Sequence, residues 1–391
     1  MKTLETGIVT HPTVPPDWDR YFERDRMRGN SHTPDTQVWQ EMTNLVLAAD
    51  ELGYDYVFAP EHHVSPYGLS PDPLQWMTYI AGRTRNVHLG TSVVVLPWHH
   101  PLRVAEQISL LDNFAPNRRK LIGLGRGLAP FEYEALAVPY DDRRERFDES
   151  VEIIKLALTE EAFSYDGKVF EVPEVSLRPK PANPNLVESL LAAATTDETL
   201  IEGGKRGLGM LYAGQKSVDL VRADLALLNG ERVRAGFEPC QPVLIVWLYC
   251  AESEQEALDR FSQAIGTHLF ELTNNYAQAV WETFDRDRMS YSDFVEAVQN
   301  RATPENHSQV QAFIDKQIWG TPEQCLEKVR ALQEASGATN ISFQVQYGDV
   351  TNEVALANLH LFAKSALDKL HTIPADPPDW LIENAHQAAV R

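Results

Sequence analysis

Polar residues stand at the ends of successive apolar segments in this chain, where their types and spacing suit chemistry. Glu61, His62 and His63 follow the second segment. Histidine exchanges protons near neutral pH, which suits acid–base catalysis, although two histidines that merely finish a strand would look the same. Successive side chains of a strand point to opposite faces, so these three neighbours cannot converge on one metal ion. We therefore expect one histidine to point into a catalytic site, and we expect no metal.

Arg126 stands between Gly125 and Gly127 after the fourth apolar segment. A guanidinium beside backbone that glycine leaves bare is a good clamp for a phosphate group. The third glycine of a dinucleotide fingerprint is missing, so the loop alone is a weak signal. The basic helix start Arg143–Arg146 could supply a second cation, or it could be an ordinary solvated helix end.

Three threonines, Thr195, Thr196 and Thr199, lie at the start of the helix that follows the fifth apolar segment. Hydroxyls and free backbone N–H groups at a helix N-terminus bind anions, aided by the helix dipole. Plain N-capping explains the same residues. The two interpretations are compatible, because a capped helix end can also receive a phosphate.

Aromatic side chains also lie near the ends of these segments. At a shared mouth they would suit a planar cofactor or an apolar substrate, although core packing explains most aromatic residues in such a fold. The residues concerned are Tyr67, Trp98, Phe131, Tyr212 and Tyr249.

Eight short apolar segments alternate with segments of helical periodicity, which predicts an α/β fold, a single (β/α)8 TIM barrel with insertions. Active sites of this fold lie at the C-terminal ends of the strands, where the residues above are found. We assign residues 1–370 to the barrel. The predicted strands are Leu4–Thr10, Tyr54–Ala59, His88–Val95, Lys120–Leu124, Leu190–Ala194, Gly209–Ala213, Val243–Cys250 and Asn340–Gln346.

Four segments do not fit the alternation. The polar stretch His11–Asp35 delays the first helix, and Phe163–Val175 is typical of an inserted hairpin. Thr283–His307, between strands seven and eight, is too long for a plain connector, so we predict a mobile lid over the catalytic face; a rigid inserted helix is the alternative. Residues 371–391 are predicted to form a C-terminal surface tail.

The composition favours a soluble cytoplasmic protein. The formal net charge of −21, from 35 basic and 56 acidic residues, argues against nucleic acid or an anionic membrane as the main partner. The start of the chain lacks the apolar core of a signal peptide, and no segment approaches the length of a membrane span. Cys240, Cys250 and Cys325 are too few for a disulfide framework or a structural zinc site, which fits a reducing compartment.

Six segments occur in an order and at a spacing typical of one family. They are FAPEHH (58–63), LGTSVVVLPWHHPLR (89–103), SLLDNF (109–114), GLGRGL (123–128), WGTPEQC (319–325) and ATNISFQVQ (338–346). On these segments the chain resembles the bacterial luciferase-like flavin monooxygenases, most closely the luciferase α-subunit branch. The resemblance covers roughly residues 4–370.

The resemblance implies a monooxygenase that uses reduced FMN and O2, through a flavin C4a-peroxide. The substrate would be a small organic molecule such as an aldehyde, a ketone or a biosynthetic intermediate. A separate flavin reductase would supply the reduced FMN, which fits a chain with no nicotinamide-binding domain of its own. A homodimer, or a heterodimer with a related subunit, is also implied.

The resemblance assigns roles to individual residues. The catalytic histidine falls on His62, beside Glu61, and a non-proline cis peptide beneath the flavin ring falls on Ser92–Val93. The cofactor-binding residues are expected to be Ser92, Val93, Gly125, Arg126, Arg144, Thr195, Thr196 and Thr199, and the substrate-binding residues His63, Trp98, Tyr212 and Gln346.

The chain departs from the luciferase pattern in three places. Gly125 stands where the luciferase α-subunit has a reactive cysteine, and Gln346 stands where it has a glutamate. The His11–Asp35 stretch is much longer than in luciferase. These changes cluster at the mouth of the barrel, so we do not expect luciferase's long-chain aldehyde as the substrate.

Three other functions stay open at this point. A deazaflavin-dependent oxidoreductase would transfer hydride in the same barrel, but relatives of that kind tend to have an aspartate where this chain has Glu61. A non-catalytic subunit like the luciferase β-chain need not keep both the histidine and the phosphate arginines. A metal-dependent hydrolase would require histidines at later strand ends, whereas strands five and six end in Thr195-Thr196 and Ala213-Gly214.

Overall fold

A computed structural model describes residues 2–22, 32–193, 196–213, 216–276 and 307–390. The expected phosphate contact Thr195 lies outside the described residues. The expected lid Thr283–His307 also lies outside them, apart from His307 at its end. Both therefore stay predictions.

Eight parallel strands close into a barrel, which confirms the predicted (β/α)8 fold. The described strands are β1 (Glu5–Val9), β2 (Tyr56–Ala59), β3 (His88–Val95), β4 (Lys120–Gly125), β5 (Phe163–Asp166), β6 (Glu171–Val175), β7 (Leu190–Ala193), β8 (Gly209–Ala213), β9 (Pro242–Cys250), β10 (Ile318–Gly320) and β11 (Asn340–Gln344). All except β5, β6 and β10 belong to the barrel, and the ring closes because β9 pairs with both β8 and β11. Strands β5 and β6 form the predicted hairpin, and β10 pairs with the last part of β9.

Helices surround the barrel, and none of those that the structure describes is long and apolar enough to cross a membrane. They are α1 (Trp18–Phe22), α2 (Asp35–Leu52), α3 (Pro73–Arg83), α4 (Pro101–Phe114), α5 (Pro130–Ala135), α6 (Arg143–Thr159), α7 (Asp197–Lys205), α8 (Val218–Arg234), α9 (Glu254–Phe270), α10 (His307–Ile314), α11 (Pro322–Ser336), α12 (Asn352–Phe362), α13 (Asp368–Leu370) and α14 (Asp379–Val390). A π-helical segment, Glu271–Tyr276, continues α9 towards the site.

The WGTPEQC segment is a helix start. Thr321 and Gln324 form a capping box, in which each side chain accepts a hydrogen bond from the other's backbone N–H, and Pro322 begins α11. Proline suits this first position because its missing N–H would have no partner within the helix. This part of the family resemblance therefore has a structural explanation.

Large aromatic side chains fill the barrel interior beside glycine. Tyr56 and Phe58 pack there with Val9, Leu191 and other aliphatic residues. A Cβ atom at Gly90 would lie 2.4 Å from the Phe58 ring, so only glycine leaves room for that ring. The interior is thus a packed core below the site.

The N-terminal ends of the strands form a face that we call the floor, where several polar side chains are paired. Lys120 Nζ donates to Asp112 Oδ1 at 2.5 Å, and both side chains are 1% exposed. Asp112 Oδ2 accepts the backbone N–H of Asn183 at 2.7 Å. Asp50, on α2, accepts the backbone N–H groups of residues 85–87 at 2.7–3.0 Å. These contacts hold helices α2 and α4 to the floor.

The end of the chain, which we predicted to be a surface tail, contains helix α14. Helix α14 packs on α8, with Leu381 and Ala385 buried. A Cβ atom at Gly230 of α8 would lie 2.7 Å from Ala388 Cβ, so glycine allows a close approach of the two helices. Pro374, Pro377 and Pro378 precede α14, and we did not identify this helix from the sequence.

A short seam joins the two ends of the described chain at the floor. Thr3 and Pro374 form an antiparallel bridge. The backbone N–H of Leu4 donates to Ile373 O at 2.9 Å, and that of Ala375 donates to Lys2 O at 2.8 Å. The seam leads directly into β1, which pairs with β2 on one edge and with β11 on the other.

Candidate active site

Glu61 is buried at the C-terminal end of β2 and holds two histidines. Its Oε1 accepts hydrogen bonds from His63 Nε2 at 3.0 Å and His99 Nε2 at 2.6 Å, and its Oε2 accepts the Val95 backbone N–H at 2.7 Å. Burial raises the pKa of the Glu61 carboxyl, but the hydrogen bonds from His63 and His99 together lower it by more. The net shift of the pKa is therefore downward. Burial lowers the pKa of His99, but its bond to Glu61 raises it overall. Glu61 is therefore a fixed anion that orients His63 and His99.

His62 points to the other side of the strand end, as the alternation of strand side chains predicted. Its Nδ1 lies 3.4 Å from Glu132 Oε1; the histidine side chain is 20% exposed and the carboxylate 1%. Glu132 Oε1 also accepts the His63 backbone N–H at 2.8 Å, and its Oε2 accepts the Tyr276 hydroxyl at 3.1 Å. Each histidine thus has its own buried carboxylate beside it: Glu132 for the His62 ring and Glu61 for the His63 ring.

Aromatic rings surround His62. Tyr67 and Tyr276 stack with centroids 4.3 Å apart, and both meet the His62 ring edge-on, at 4.7 and 5.8 Å. The His11 ring, after β1, lies 5.5 Å from that of His62. Burial, and then the neighbouring His62 and His268, hold the pKa of His11 well below its usual range. His11 is therefore neutral, and its Nε2 has no hydrogen-bond partner among the described residues.

The described parts of the long His11–Asp35 stretch cover the aromatic wall, as we call Tyr67, Tyr276 and Phe131. Trp18 is buried with Phe131 and Tyr276, and Tyr21 packs against the same cluster. Asp17 accepts the backbone N–H of His32 at 2.9 Å, which ties the two described ends of the stretch together. The stretch that departs most from luciferase thus forms part of the mouth.

Arg126 meets two of the predicted threonines at the start of α7. Its Nη2 donates to Thr199 Oγ1 at 2.7 Å, and Thr199 Oγ1 lies 3.0 Å from Thr196 Oγ1. Thr196 is also the N-cap of α7, because its side chain accepts the Thr199 backbone N–H. The capping and anion-binding interpretations therefore apply to the same residues.

Positive charge is concentrated beside these hydroxyls. Burial lowers the pKa of Arg126, and repulsion from Arg144 and Arg143 lowers it further. Arg144 forms an ion pair with Glu198 on α7. Arg146, in contrast, donates to the Pro97 carbonyl at 2.9 Å, so it is held in the protein's own framework. A cluster of repelling guanidinium groups at a helix N-terminus is a good environment for an anion.

The Ser92–Val93 peptide bond is cis, as the resemblance predicted. The pairing of β3 with β4 shifts register here, between Thr91 and Val94. A Cβ atom at Gly125 would lie 2.4 Å from Val93 Cγ2, so the backbone leaves no room for a side chain at this position. The cysteine of luciferase could not be accommodated here without movement of Val93.

The placement of Tyr212 in the mouth was wrong. Leu211 belongs to the interior of the barrel, so the next side chain along β8 points outward. Tyr212 packs in the outer layer and lies under Lys216, whose Nζ is 5.6 Å from the ring centroid. Tyr249 also packs in the outer layer, where it forms a hydrogen bond with Asn358. Proximity to a strand end did not fix the direction of either side chain.

The other residues expected at the substrate lie in two places. His63 meets the Trp98 ring edge-on at 4.9 Å, beside Glu61. Gln346 Oε1 accepts from Asn352 Nδ2 at 3.2 Å, and the same amide group donates to the Glu41 carbonyl at 3.1 Å. The structure thus brings His63 and Trp98 together, whereas Gln346 is held towards α2.

Several buried polar residues near the mouth were missed from the sequence. Burial, followed by the charge of Asp349, raises the pKa of Glu271 to about 8, and its Oε1 has no partner among the described residues. Burial lowers the pKa of His268 to about 4. Glu132, in α5, is fully buried. Within the described ranges, no three His, Cys, Asp or Glu side chains form a metal-binding group. His99, the partner of Glu61, was also missed. It alone could have been found from the sequence, because it belongs to a His-His pair shortly after the end of β3.

Comparisons with known proteins agree on one family. The family model described as luciferase-like monooxygenase matches residues 22–339. The chain is 26% identical, over 78% of its length and 79% of the relative's, to 4-hydroxyprotoasukamycin monooxygenase from Streptomyces nodosus subsp. asukaensis. It is 23% identical, over 85% of its length and 92% of the relative's, to the alkanal monooxygenase alpha chain of Photorhabdus laumondii.

Solved structures share the same fold. Monooxygenase RslO1 from Streptomyces bottropensis superposes with a TM-score of 0.73 at 27% identity, covering 94% of this chain and 99% of that one. The oxygenating constituent of 3,6-diketocamphane monooxygenase from Pseudomonas putida, in complex with FMN, gives 0.71 at 20% identity, over 95% and 100%. An F420-dependent secondary alcohol dehydrogenase gives 0.67 at 14% identity, over 94% and 99%, so the fold serves two types of cofactor.

Proposed function

The chain belongs to the luciferase-like monooxygenase family, and we propose that it oxygenates a small organic substrate with reduced FMN and O2. One observation carries the choice of FMN. Arg126, with Arg143 and Arg144 close by, meets Thr199 at the start of α7. This donor set suits the phosphate group at the end of a flavin side chain.

The residues present fit the whole of FMN as well as its phosphate. Because Gly125 has no side chain, the Val93 side chain of the cis peptide can pack directly against the backbone of β4. The Ser92–Val93 segment lies on the strand next to β4, whose end carries Arg126. When bound, reduced FMN supplies the electrons and the ring carbon at which O2 is activated.

His62 is the residue that we assign to proton transfer. Its Nδ1 makes no hydrogen bond to a described residue, whereas the rings of His63 and His99 are held by Glu61. Tyr67 and Tyr276 shield the His62 ring from solvent. Excluding water protects a reactive oxygen species from decay, and a positioned imidazole exchanges protons with substrate oxygen atoms.

The substrate that we propose is an aldehyde, a ketone or a biosynthetic intermediate. Relatives are named for substrates as different as alkanals and 4-hydroxyprotoasukamycin. The aromatic wall of Tyr67, Tyr276 and Phe131 favours a ring-containing molecule over a straight-chain alkanal. We further propose that a separate reductase supplies reduced FMN, and that the chain forms a homodimer or pairs with a related subunit in the cytoplasm.

The phosphate assignment is tested by replacing Arg126 with alanine. Loss of one half-buried guanidinium should weaken the binding of reduced FMN at least about tenfold. The measurement is an anaerobic fluorescence titration of the variant and its parent. Arg222→Ala is the matched control, because Arg222 stacks on Trp380 on the outside of α8 and should leave the affinity unchanged. Equal affinities for the Arg126 variant and the parent would place the phosphate elsewhere.

The oxygenation itself is tested with ¹⁸O2 and chemically reduced FMN, which removes the need for a reductase. Transfer of one labelled oxygen atom to a candidate aldehyde, ketone or aromatic compound supports the proposal. A parallel titration with reduced deazaflavin distinguishes the alternative hydride-transfer enzyme. Tight binding of the deazaflavin, with weak binding of FMN and no labelled product, would overturn the proposed function.

A further inference from the structure

The two adjacent histidines after β2 have different carboxylate partners. Glu61 lies in the same strand end and bonds to the His63 ring. Glu132 comes from α5, some seventy residues later, and its Oε1 lies 3.4 Å from His62 Nδ1. This Nδ1 is buried and has no hydrogen bond to any described residue. A small movement of either side chain would bring the two atoms within bonding distance.

We infer that Glu132 is a positioning residue, which holds the His62 ring with Nδ1–H towards its own carboxylate and Nε2 towards the mouth. The inference rests on the proposed function, because it concerns the histidine assigned to proton transfer. The proton on one ring nitrogen is fixed by the hydrogen bond that this nitrogen makes. Nε2 is then left unprotonated and can accept a proton from the reacting molecules.

The surroundings of His62 leave Glu132 as its charged partner among the described residues. His11 is neutral, because burial holds its pKa well below the usual range. Burial, followed by the charges of Glu271 and Glu132, raises the pKa of Tyr67, so its hydroxyl stays protonated. Tyr276 donates its hydroxyl to Glu132. None of these neighbours competes with Glu132 as an anionic acceptor.

The buried Glu132 carboxylate has hydrogen-bond donors for both of its oxygens. Its two oxygens accept from the His63 backbone N–H at 2.8 Å and from the Tyr276 hydroxyl at 3.1 Å. A buried charge persists only when hydrogen bonds satisfy it. The carboxylate can therefore orient the neutral imidazole and also stabilise the imidazolium that forms when Nε2 takes a proton.

Two substitutions separate these two effects. Glu132→Gln keeps an acceptor oxygen but removes the charge, so His62 should keep its tautomer while kcat falls about tenfold. Glu132→Leu removes the acceptor as well, so His62 should lose the Nδ1-protonated form and kcat should fall at least about a hundredfold. In both variants we expect the KM and the affinity for reduced FMN to stay near the parent values, because the Glu132 side chain is fully buried behind His62.

The tautomer is read from ring-nitrogen NMR of ¹⁵N-histidine-labelled protein, which needs no turnover. Glu61→Gln is the matched control: it should change the signals of His63 and His99 and leave those of His62 unchanged. If Glu132→Leu unfolds, the kcat of Glu132→Gln alone tests the positioning role of Glu132. An unchanged His62 tautomer in folded Glu132→Leu, or parental kcat in Glu132→Gln, would overturn the inference. If the tautomer responds as expected but no enzyme form oxygenates any substrate, the proposed function fails and the positioning role stands.

Discussion

The floor and the mouth of the barrel treat buried polar groups differently. At the floor, the buried side chains of Lys120 and Asp112 pair with each other, and the partly exposed Asp50 accepts three backbone N–H groups. At the mouth, His11 Nε2 and Glu271 Oε1 are buried without a partner among the described residues. Buried polar groups are nearly always bonded in proteins, so unpaired ones at one end of a barrel indicate where a ligand completes the bonding. We therefore expect the floor to serve stability and the mouth to serve chemistry.

Neither face is uniform. Asn340 Nδ2, at the start of β11 on the floor, also lacks a partner among the described residues. At the mouth, Glu61 is fully used by His63, His99 and the Val95 backbone. The difference between the faces is therefore best tested one residue at a time, by asking whether a variant loses stability or activity.

The largest effect is expected from Asp112→Ala at the floor. The change leaves the Lys120 ammonium buried without its anion and the Asn183 N–H without an acceptor. Removing one partner of a buried ion pair costs about 3–5 kcal/mol. Urea denaturation should show this loss of unfolding free energy, while kcat of the folded fraction stays unchanged. The double variant Asp112→Leu with Lys120→Met should recover most of it, and a loss below about 1 kcal/mol in the single variant would remove the floor's special role.

The next effect is expected from His62→Ala at the mouth. Product formation should fall at least about a hundredfold, the usual scale for losing acid–base help, while binding of reduced FMN stays nearly intact. Steady-state turnover and flavin titration check the two halves of this expectation. Tyr212→Phe is the control, because this tyrosine faces the outer layer and its variant should keep parental kinetics. A larger loss in His63→Ala than in His62→Ala would reverse the assignment of the two histidines.

The smallest effect concerns Glu271 and pH. Its ordinary pKa of 4.5 rises to about 8 in the folded protein, so the folded state keeps a proton that the unfolded chain has released. Stability from this group is present below pH 4.5 and is lost as the pH rises through 8. Glu271→Gln removes this dependence, so the variant should gain about 2 kcal/mol or more over the parent between pH 5 and pH 9. Urea denaturation of the variant and the parent at pH 5 and pH 9 measures this change. If the two proteins differ in unfolding free energy by the same amount at both pH values, Glu271 is ionised in the folded state.

The sequence was sufficient for the barrel and for part of the site. Strand positions follow from apolar runs of limited length, and the residues after them must meet at one end of the barrel. Arg126 and Thr199 could therefore be placed near each other although they are far apart in sequence. The cis bond at Ser92–Val93 came from the family resemblance, since no residue pattern demands it.

Other parts of the site could not be predicted, for physical reasons. A glutamate in a short amphipathic helix usually faces water, so nothing marked Glu132 as a buried partner of His62. Side chains of adjacent strand residues point to opposite faces, and an error of one position put Tyr212 in the mouth. The helix α14 was missed because its stability comes from packing on α8 at Gly230, which is a contact distant in sequence.

The position of β1 between β2 and β11 has a consequence for synthesis on the ribosome. Strand β1 can pair with β2 as soon as Ala59 has emerged, but its other edge needs β11, which ends at Gln344. During most of translation β1 therefore presents an open strand edge, which can pair with other chains. Closing contacts of such large sequence separation also fold slowly. Newly made chains should thus depend on chaperones until the last strand is complete, and slow translation before residue 340 should increase aggregation.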